Sequence, residues 1–584
     1  MILGLPYSLL LAPTRKEIDT AHGKRRWLDI GVPSFRNLWN LPRSCQIVWL
    51  ILAFSSIPIH FMYNAAVFST VKANGFLWVK VSEAFIRNPE LPPIMVPMDG
   101  TMVPMPYTFN DTPVVSAADP SAATYDAVLR LYEDVQANLS TYENLTNWEC
   151  YQNYSNIFTW RPQWVPGQNP QSPTQAEVDT WANKGSLVQY CLRKLDSEGE
   201  EAFNTCELQA SPTILTVVTC LNFLKCCCIF WVIWYRSEHS LCTLGDAIAS
   251  FLESPDPHTK SLGLVSKDSI INLDDWQNGG TIEWRPRSIR WLHAASLRRW
   301  VFTMTTSGLI LGSGFILLGQ GIQTQTRMHL STSPAALWKL GFGTTNQLEI
   351  VGWNQPNVGF KGLIANILLA NVWQVLISMA YIAHNGLLST MLLEREWRQY
   401  ANERKTLRVS HPKGIQRSTY FISMPLRYGI PMMSASALLH WLLSQSVFIL
   451  RVIVFDTASS TIPTEVRDLN WTMSGFSIYP IIFAVTLGGI VLVLQGLIGL
   501  RKLPARDAMP LVASCSAVIS ANCHRPDVDV NAHLLPVQWG VIWDKSHDEQ
   551  ACSFTTYRDV TKPVRGERYI GVEGIMTGKK TKAQ

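Results

Sequence analysis

The chain has 584 residues, of which only 16% are charged, and its formal net charge is +5. Soluble domains average about 25% charged residues, so the composition excludes a simple string of soluble domains and favours a membrane protein. The basic residues are scattered through short segments and form no recognisable nucleic-acid-binding motif, so we expect no nucleic acid partner. The partner that this charge predicts is the lipid bilayer, and in particular anionic lipid of its inner leaflet.

The first 45 residues are polar and basic, except for the apolar stretch Met1–Leu11, which is too short to cross a bilayer. That stretch also lacks the basic start and the cleavage site of a signal peptide, so we expect none. Six apolar stretches follow, each with roughly the 20 residues that a transmembrane helix needs. Backbone polar groups must be satisfied inside a bilayer, so each stretch is predicted to be helical. The six spans lie at 46–68, 211–235, 300–323, 363–387, 430–455 and 479–500.

The orientation of these spans follows from glycosylation sequons and basic residues. The sequons fall in the acidic segment 71–210 and in 456–478, at Asn110, Asn138, Asn144, Asn153 and Asn470. Lysine and arginine are concentrated instead in residues 13–44 and 388–429. The positive-inside rule then places both termini in the cytosol and every sequon outside, where glycosylation occurs. The predicted cytosolic segments are 1–45, 236–299, 388–429 and 501–584, and the predicted extracellular segments are 71–210, 324–362 and 456–478.

The cysteines divide by predicted compartment. Cys150, Cys191 and Cys206 lie in the extracellular segment, where disulfides are permitted, and Cys191 with Cys206 is the favoured pair. The odd number leaves one of the three without an obvious partner. The triplet Cys226–Cys228 lies near the end of the second span and is either a palmitoylation site or, as we favour, buried apolar cysteine.

The cytosolic segment 236–299 begins with an amphipathic pattern. Its apolar residues follow the spacing i, i+3, i+4, i+7, i+8 of one helix face and are Leu244, Ala247, Ile248, Phe251 and Leu252. This helix either lies on the membrane surface or packs against the helical bundle. The tail 501–584 is polar with short apolar patches, and we expect a small, partly ordered appendage.

Polar side chains share one face of the fourth span, at steps of 3, 4, 3 and 4 residues, and similar groups occur in the first, second and fifth spans. This intramembrane polar face comprises Ser56, His60, Asn64, Lys225, Asn371, Gln374, Ser378, Tyr381, Asn385, His440, Ser444 and Arg451. It is either a polar pathway or ligand site, or a set of interhelical hydrogen bonds worth about 0.6 kcal/mol each. We favour the hydrogen bonds.

The charges within the spans narrow the possible chemistry. None of the six contains an internal Asp or Glu, which argues against a proton- or sodium-coupled transporter. The two charges placed within spans are Lys225 and Arg451. We expect both to snorkel towards the bilayer surface, with an anion contact as the alternative for Lys225.

Recognisable catalytic motifs are missing from the chain. The sequence contains no H-E-x-x-H, G-x-S-x-G, Walker A or dinucleotide-binding pattern. The cysteines and histidines of the tail lack the spacing of a zinc site. We therefore expect no enzymatic activity, no catalytic residue, no metal and no cofactor.

Several ungapped stretches carry a family resemblance. They begin at Ala12, Arg26, Ser55, Leu244, His440 and Ser520, and include Ala-Pro-Thr-Arg-Lys-Glu-Ile-Asp, Arg-Trp-Leu-Asp-Ile-Gly-Val-Pro-Ser and His-Trp-Leu-Leu-Ser-Gln. In these stretches the chain resembles the fungal multi-pass membrane proteins catalogued as domain of unknown function 6536. The resemblance covers most of the chain outside 71–210 and implies a fold and a location but no activity. Family members usually carry further membrane-spanning sequence before the first of these stretches.

Together these observations predict an all-α polytopic membrane protein. Six transmembrane helices carry a mixed, disulfide-containing, glycosylated extracellular domain between the first and second helix. We expect a plasma-membrane protein that arrives through the secretory pathway and acts as a non-catalytic sensor, binding or scaffold protein for an extracellular ligand. The alternative is a transporter or channel with a polar pathway between the first, fourth and fifth spans.

Overall fold

The structure is a computed structural model with twelve described helices. The described residues are 9–74, 94–98, 101–105, 134–149 without 136 and 148, 190–194, 206–236, 240–271, 276, 280–285, 289–327, 331–343, 359–419, 424–456, 464–465, 471–503, 509–544 and 549–571. The helices are α1 Arg15–Gly23, α2 Phe35–Leu38, α3 Arg43–Met62, α4 Pro212–Arg236, α5 Leu244–Glu253, α6 Lys267–Ile271, α7 Leu297–Arg327, α8 Pro334–Lys339, α9 Gly359–Gln399, α10 Leu426–Ser446, α11 Ile478–Leu500 and α12 Ser516–Ala521.

The described strands have between two and ten residues. They are β1 Val67–Asn74, β2 Ile94–Met98, β3 Thr101–Met105, β4 Tyr142–Thr146, β5 Tyr190–Lys194, β6 Cys206–Ala210, β7 Gly280–Glu283, β8 Arg408–Val409, β9 Arg417–Ser418, β10 Val447–Asp456, β11 Thr464–Glu465, β12 Trp471–Phe476, β13 Gln538–Asp544, β14 Glu549–Thr555 and β15 Arg568–Gly571. The predicted extracellular segment contributes two antiparallel pairs, β2–β3 and β4–β5.

Within the described residues, five helices are long and apolar enough to cross a membrane: Arg43–Met62, Pro212–Arg236, Leu297–Gln323, Lys361–Gln399 and Ile478–Leu500. They confirm five of the six predicted spans by length and composition, and they indicate a multi-pass membrane protein. Large apolar side chains on these helices face outwards, among them Phe54, Phe230, Leu309 and Val493, which are all more than half exposed. Contact with the lipid bilayer accounts for such an exposed apolar surface.

The fifth predicted span, 430–455, is wrong as a continuous helix. Helix α10 ends at Ser446 and the chain continues directly as strand β10, Val447–Asp456. The run from Val447 to Phe455 is rich in β-branched and aromatic residues, which favour a strand, and apolar length alone does not separate the two structures. The first span is also shorter than predicted, because α3 ends at Met62 and β1 begins at Val67.

One five-stranded sheet joins the ends of the bundle helices, and we call it the outer sheet because this end is predicted to be extracellular. Strand β10 pairs in parallel with β1, which follows α3, and antiparallel with β12, which precedes α11. Strand β6, which precedes α4, pairs antiparallel with β1, and β11 pairs with β10. On α9, Asn366 Nδ2 donates to the carbonyl of Thr472 in β12 at 2.9 Å. Helices α3, α4, α9, α10 and α11 therefore all reach the same end of the bundle, and α10 packs against α9 and α11.

The opposite end carries what we call the inner domain, formed by the described parts of residues 9–41, 240–296, 393–419 and 501–571. These segments share one hydrophobic core that includes Trp397, Val518, Trp539 and Phe554. The tail is therefore a structural part of this domain, and its prediction as a small appendage is wrong.

Helix α5 lies at the centre of the inner domain. Its predicted apolar face is intact, and Ala247, Ile248, Phe251 and Leu252 are fully buried. A helix on a membrane surface would leave that face to the lipid, so the membrane-surface interpretation is wrong. The face packs on tail residues and on other parts of the inner domain rather than on the transmembrane bundle. Its capping box at Thr243 and Asp246 sets the start of the helix.

Candidate functional site

The predicted polar face brings four side chains together, and we call them the α3–α9–α10 cluster: His60, Gln374, Ser378 and His440. Gln374 Oε1 lies 2.5 Å from His440 Nδ1, and its Nε2 donates to the His440 carbonyl at 3.1 Å. Ser378 Oγ lies 3.2 Å from His60 Nε2 and 3.3 Å from His440 Nε2. The two imidazole rings stack with their centroids 5.8 Å apart. These polar groups satisfy one another, which is how interhelical hydrogen bonds hold a membrane bundle together.

The prediction that Lys225 snorkels towards the bilayer surface is wrong. Its side chain is buried, and Nζ donates to Ser56 Oγ at 2.9 Å, linking α4 to α3. Arg451 lies in strand β10 and not within a membrane span.

The buried-cysteine prediction is correct for Cys228 but wrong for Cys226 and Cys227, which are exposed.

The other predicted polar residues are dispersed. Asn371 Nδ2 donates to the Ile367 carbonyl of its own helix at 3.0 Å, and Asn385 Oδ1 lies 3.5 Å from Ser389 Oγ, also on α9. Asn64 follows the end of α3 and Ser444 lies one turn after His440, and neither is part of the α3–α9–α10 cluster. Tyr381 lines a cavity on another side of α9.

Only some of the predicted glycosylation sites and extracellular cysteines are among the described residues. Asn138 and Asn144 are exposed, whereas Asn110, Asn153 and Asn470 lie outside the described residues. Cys191 is disulfide-bonded. Neither Cys150 nor the side chain of Cys206 is described by the structure, so the partner of Cys191 stays a prediction.

Sequence reasoning missed a second group, which we call the α7–α9–α11 cluster: Ser307, His384 and Gln495. Ser307 Oγ lies 2.9 Å from His384 Nε2, and His384 Nδ1 is hydrogen-bonded to Gln495 Oε1. All three side chains are buried. Gln495 carries a polar amide in the most apolar of the spans. This unexpected polar residue was the feature of the sequence that could have predicted the cluster.

Beside this cluster lies a cavity of about 350 Å³ between α7, α9, α10 and α11, which we call the bundle cavity. Its walls are mostly apolar, and they include Leu317, Ile377, Leu439 and Val485. On α10 the lining extends from Arg427 to Ser446, the whole length of the helix. At 1.5 Å per residue this is about 28 Å, close to the thickness of the hydrocarbon layer. The cavity can therefore hold a long apolar molecule along the bundle.

The inner domain contains a Ser-His-Asp arrangement that also escaped prediction. His22 Nδ1 lies 2.5 Å from Asp256 Oδ2, and His22 Nε2 lies 2.8 Å from Ser516 Oγ. This is the connectivity of a hydrolase triad, in which the serine must be open to its substrate. Ser516 is 0% exposed, and its hydroxyl also accepts the backbone N–H of Leu28 at 3.0 Å. The arrangement therefore cross-links three segments of the core.

Metal ligation finds no support in the part of the chain that the structure describes. Groups of three or more His, Cys, Asp or Glu residues that could hold a metal ion are absent from these residues. The tail thiols are buried, and burial raises the pKa of Cys515 to about 12. A protonated thiol is a poor metal ligand, because the thiolate is the binding form.

Comparison with known proteins gives two family matches. Residues 6–70 match the Family of unknown function (DUF6536), and residues 274–574 match the Domain of unknown function (DUF8419). No curated protein and no solved structure matches the chain. The predicted resemblance is thus confirmed for 6–70, whereas the stretches at His440 and Ser520 lie in the other match. All residues that line the bundle cavity lie within 274–574. Since that match covers more than half of the sequence, the chain belongs to the family described as Domain of unknown function (DUF8419).

Proposed function

We propose that this protein is a non-catalytic membrane receptor that binds an apolar ligand in the bundle cavity. The observation that carries the proposal is the cavity itself, about 350 Å³ in volume and lined mostly by apolar side chains. Ligand pockets of proteins typically enclose about 300–1,000 Å³ and combine apolar walls with a few polar groups. The α7–α9–α11 cluster supplies such groups, because Ser307, His384 and Gln495 all line the cavity.

Helix α9 supports a sensing role, because it runs from the outer sheet to the inner domain over 41 residues. Near its start, Asn366 is bonded to β12 through Thr472 and Ser474. Near its end, Trp397 is fully buried in the inner-domain core. The cavity-lining part of α9, from Trp373 to Leu388, lies between these anchors. A ligand that favours one position of α9 would therefore shift both ends of the molecule together.

The proposed location is the plasma membrane, with the sequons outside. The exposed positions of Asn138 and Asn144 support this, since a glycosylation acceptor must be accessible. The resemblance to fungal multi-pass membrane proteins is consistent with the same location. The extracellular segments would then meet a ligand or partner outside the cell.

A transporter or channel along the first, fourth and fifth spans has weaker support. Its pathway would need polar groups that are free to bind a solute or water. Gln374, Ser378 and His440 instead hydrogen-bond to one another, and Gln374 is 6% exposed. The bundle cavity lies elsewhere and is mostly apolar, which disfavours a polar solute because its desolvation would be uncompensated.

The test is photo-crosslinking of the purified full-length protein with a long-chain alcohol that carries a diazirine. We expect labelled peptides from the cavity walls on α7, α9, α10 and α11. Ala435→Phe adds volume to the cavity wall and should reduce this labelling at least several-fold. The matched control is Ala437→Phe, because Ala437 is exposed on the same helix and does not line the cavity. Equal labelling of both variants would contradict the proposal.

A further inference from the structure

We propose that the ligand of the bundle cavity is an anionic membrane lipid whose headgroup lies at Arg427. This inference rests on the proposed function and adds the chemical class and the orientation of the ligand. Arg427 is in the first turn of α10, at the end of the cavity that faces the inner domain. The acyl chain would extend from there along the apolar walls towards the outer sheet.

Among the described residues, the charge at this end of the cavity is positive. Arg427 is exposed, lines the cavity and forms no ion pair with a described residue. Its guanidinium lies 5.1 Å from the centroid of the Tyr428 ring, which is also part of the lining. The Tyr428 hydroxyl accepts a hydrogen bond from Arg395 Nη1 at 3.3 Å, so a second arginine lies close by. Among the described residues that line the cavity none is a carboxylate.

The backbone at the same place adds to the positive potential. Helix α10 begins after Pro425, which provides no side-chain cap for the first N–H groups. Uncapped N–H groups and the helix dipole favour an anion at a helix N-terminus. Together with Arg427 they form a site that suits a phosphate or carboxylate and disfavours a cation.

A lipid fits this site better than a soluble anion, because the cavity is open to the lipid-facing surface. Ile490 and Leu494 on α11 line the cavity and are 50% and 53% exposed. An acyl chain can therefore enter sideways from the bilayer, while its headgroup stays at the depth of Arg427. A small soluble anion would leave the apolar walls, such as Ile377 and Leu439, without a partner.

The test is native mass spectrometry of the full-length protein in detergent with dioleoylphosphatidylserine and, separately, dioleoylphosphatidylcholine. We expect the anionic lipid to bind about tenfold more tightly, as a charge-assisted hydrogen bond would give. Arg427→Gln should abolish this preference and Arg427→Lys should retain part of it. The matched control is Arg298→Gln, which removes an exposed charge near the start of α7 that does not line the cavity.

The outcomes separate this inference from the proposed function. Equal binding of both lipids, with cavity labelling by the neutral alcohol intact, would overturn the headgroup assignment and leave the receptor proposal standing. A preference for the anionic lipid that survives Arg427→Gln would also overturn it. If Ala435→Phe changes neither the lipid binding nor the labelling, both proposals are wrong. Normal labelling of Arg427→Gln by the alcohol shows that this variant is folded.

Discussion

His22, His384 and His440 each use both ring nitrogens in hydrogen bonds to side chains of other segments. A histidine held in this way has a defined orientation and is bonded to side chains that are distant from it in sequence. His22 and Ser516, for example, are 494 positions apart. The polar groups that suggested a pathway in the sequence are therefore better explained as cross-links, because a satisfied buried polar group stabilises one packing arrangement.

At residue scale, the His22–Asp256 contact predicts a pH dependence of stability. Burial opposes ionisation of Asp256, but the hydrogen bond and charge of His22, with the His258 N–H, hold its pKa below the usual value. A lowered carboxyl pKa stabilises the fold above the unfolded-state value of about 3.9, and this stabilisation is lost as the pH falls through the lower folded-state value. We expect Asp256→Asn to lower the free energy of unfolding at pH 7 by about 1–3 kcal/mol. Thermal unfolding between pH 7 and pH 3, followed by tryptophan fluorescence, measures both effects.

The matched control for that experiment is Asp559→Asn, because Asp559 is exposed in the same domain. It should leave both the stability and its acid dependence close to those of the original protein. If Asp256→Asn loses stability in acid as steeply as the original protein does, Asp256 does not account for the pH dependence.

Also at residue scale, Gln374 provides the test between packing and a water-filled pathway. Its amide is bonded on both sides to His440, and it is 6% exposed. In a background that lacks the native free thiols, Gln374→Cys should react slowly with a small membrane-impermeant thiol reagent on intact cells. A control cysteine at Ser459, in the predicted extracellular loop, should react at an ordinary rate. Fast labelling at position 374 would favour the transporter.

At the scale of elements, apolar length and helical periodicity could be read from the sequence. Which helices pack together and which strands pair could not. Five spans were predictable because each long apolar run is a local property of the chain. The α3–α9–α10 cluster was predictable because the steps of 3 and 4 residues place Gln374 and Ser378 on one face. The α7–α9–α11 cluster and the bundle cavity depend on which helices pack together, and no local pattern encodes that. Strand β10 was missed for a related reason, since its partners come from β1 and β12.

The register of β10 predicts where an engineered disulfide will form. Leu450 lies opposite Met473 in the antiparallel β10–β12 pair, and Arg451 lies opposite Thr472. Opposite residues have Cα atoms about 4.5–5.5 Å apart, within the range of a disulfide, and their side chains share a face. We expect Leu450→Cys with Met473→Cys to cross-link in the secretory pathway, with the linked peptides detected by mass spectrometry.

The register control pairs Leu450→Cys with Thr472→Cys, whose side chains point to opposite faces of the sheet. That combination should stay reduced. A helix that continued from Ser446 through Phe455 would give no cross-link in either combination, and this result would restore the fifth span, 430–455, as the sequence predicted it.

At the scale of the whole molecule, the outer sheet ties the two family matches together. Strand β1 begins within 6–70 and β10 lies within 274–574, and the two pair in parallel with Ser69 opposite Leu450. Helices α3 and α10 deliver these strands to the same end of the bundle. If α3 crosses the membrane, α10 must therefore cross it in the same direction, although α10 is not among the five helices that are long and apolar enough by composition to cross a membrane. Six crossings then place both termini on one side.

This topology predicts the fate of a C-terminal epitope tag when the protein is synthesised into sealed microsomes. Added protease should remove the tag, which lies on the cytosolic side with the inner domain, while a glycan at Asn470 stays protected. Asn470→Gln should lose one glycan and leave the tag accessible, and the same tag inserted at Ser459 should resist the protease. A protected C-terminal tag together with an unglycosylated Asn470 would mean that α10 does not cross the membrane. Strands β1 and β10 would then emerge on opposite sides of the membrane, where their pairing is impossible.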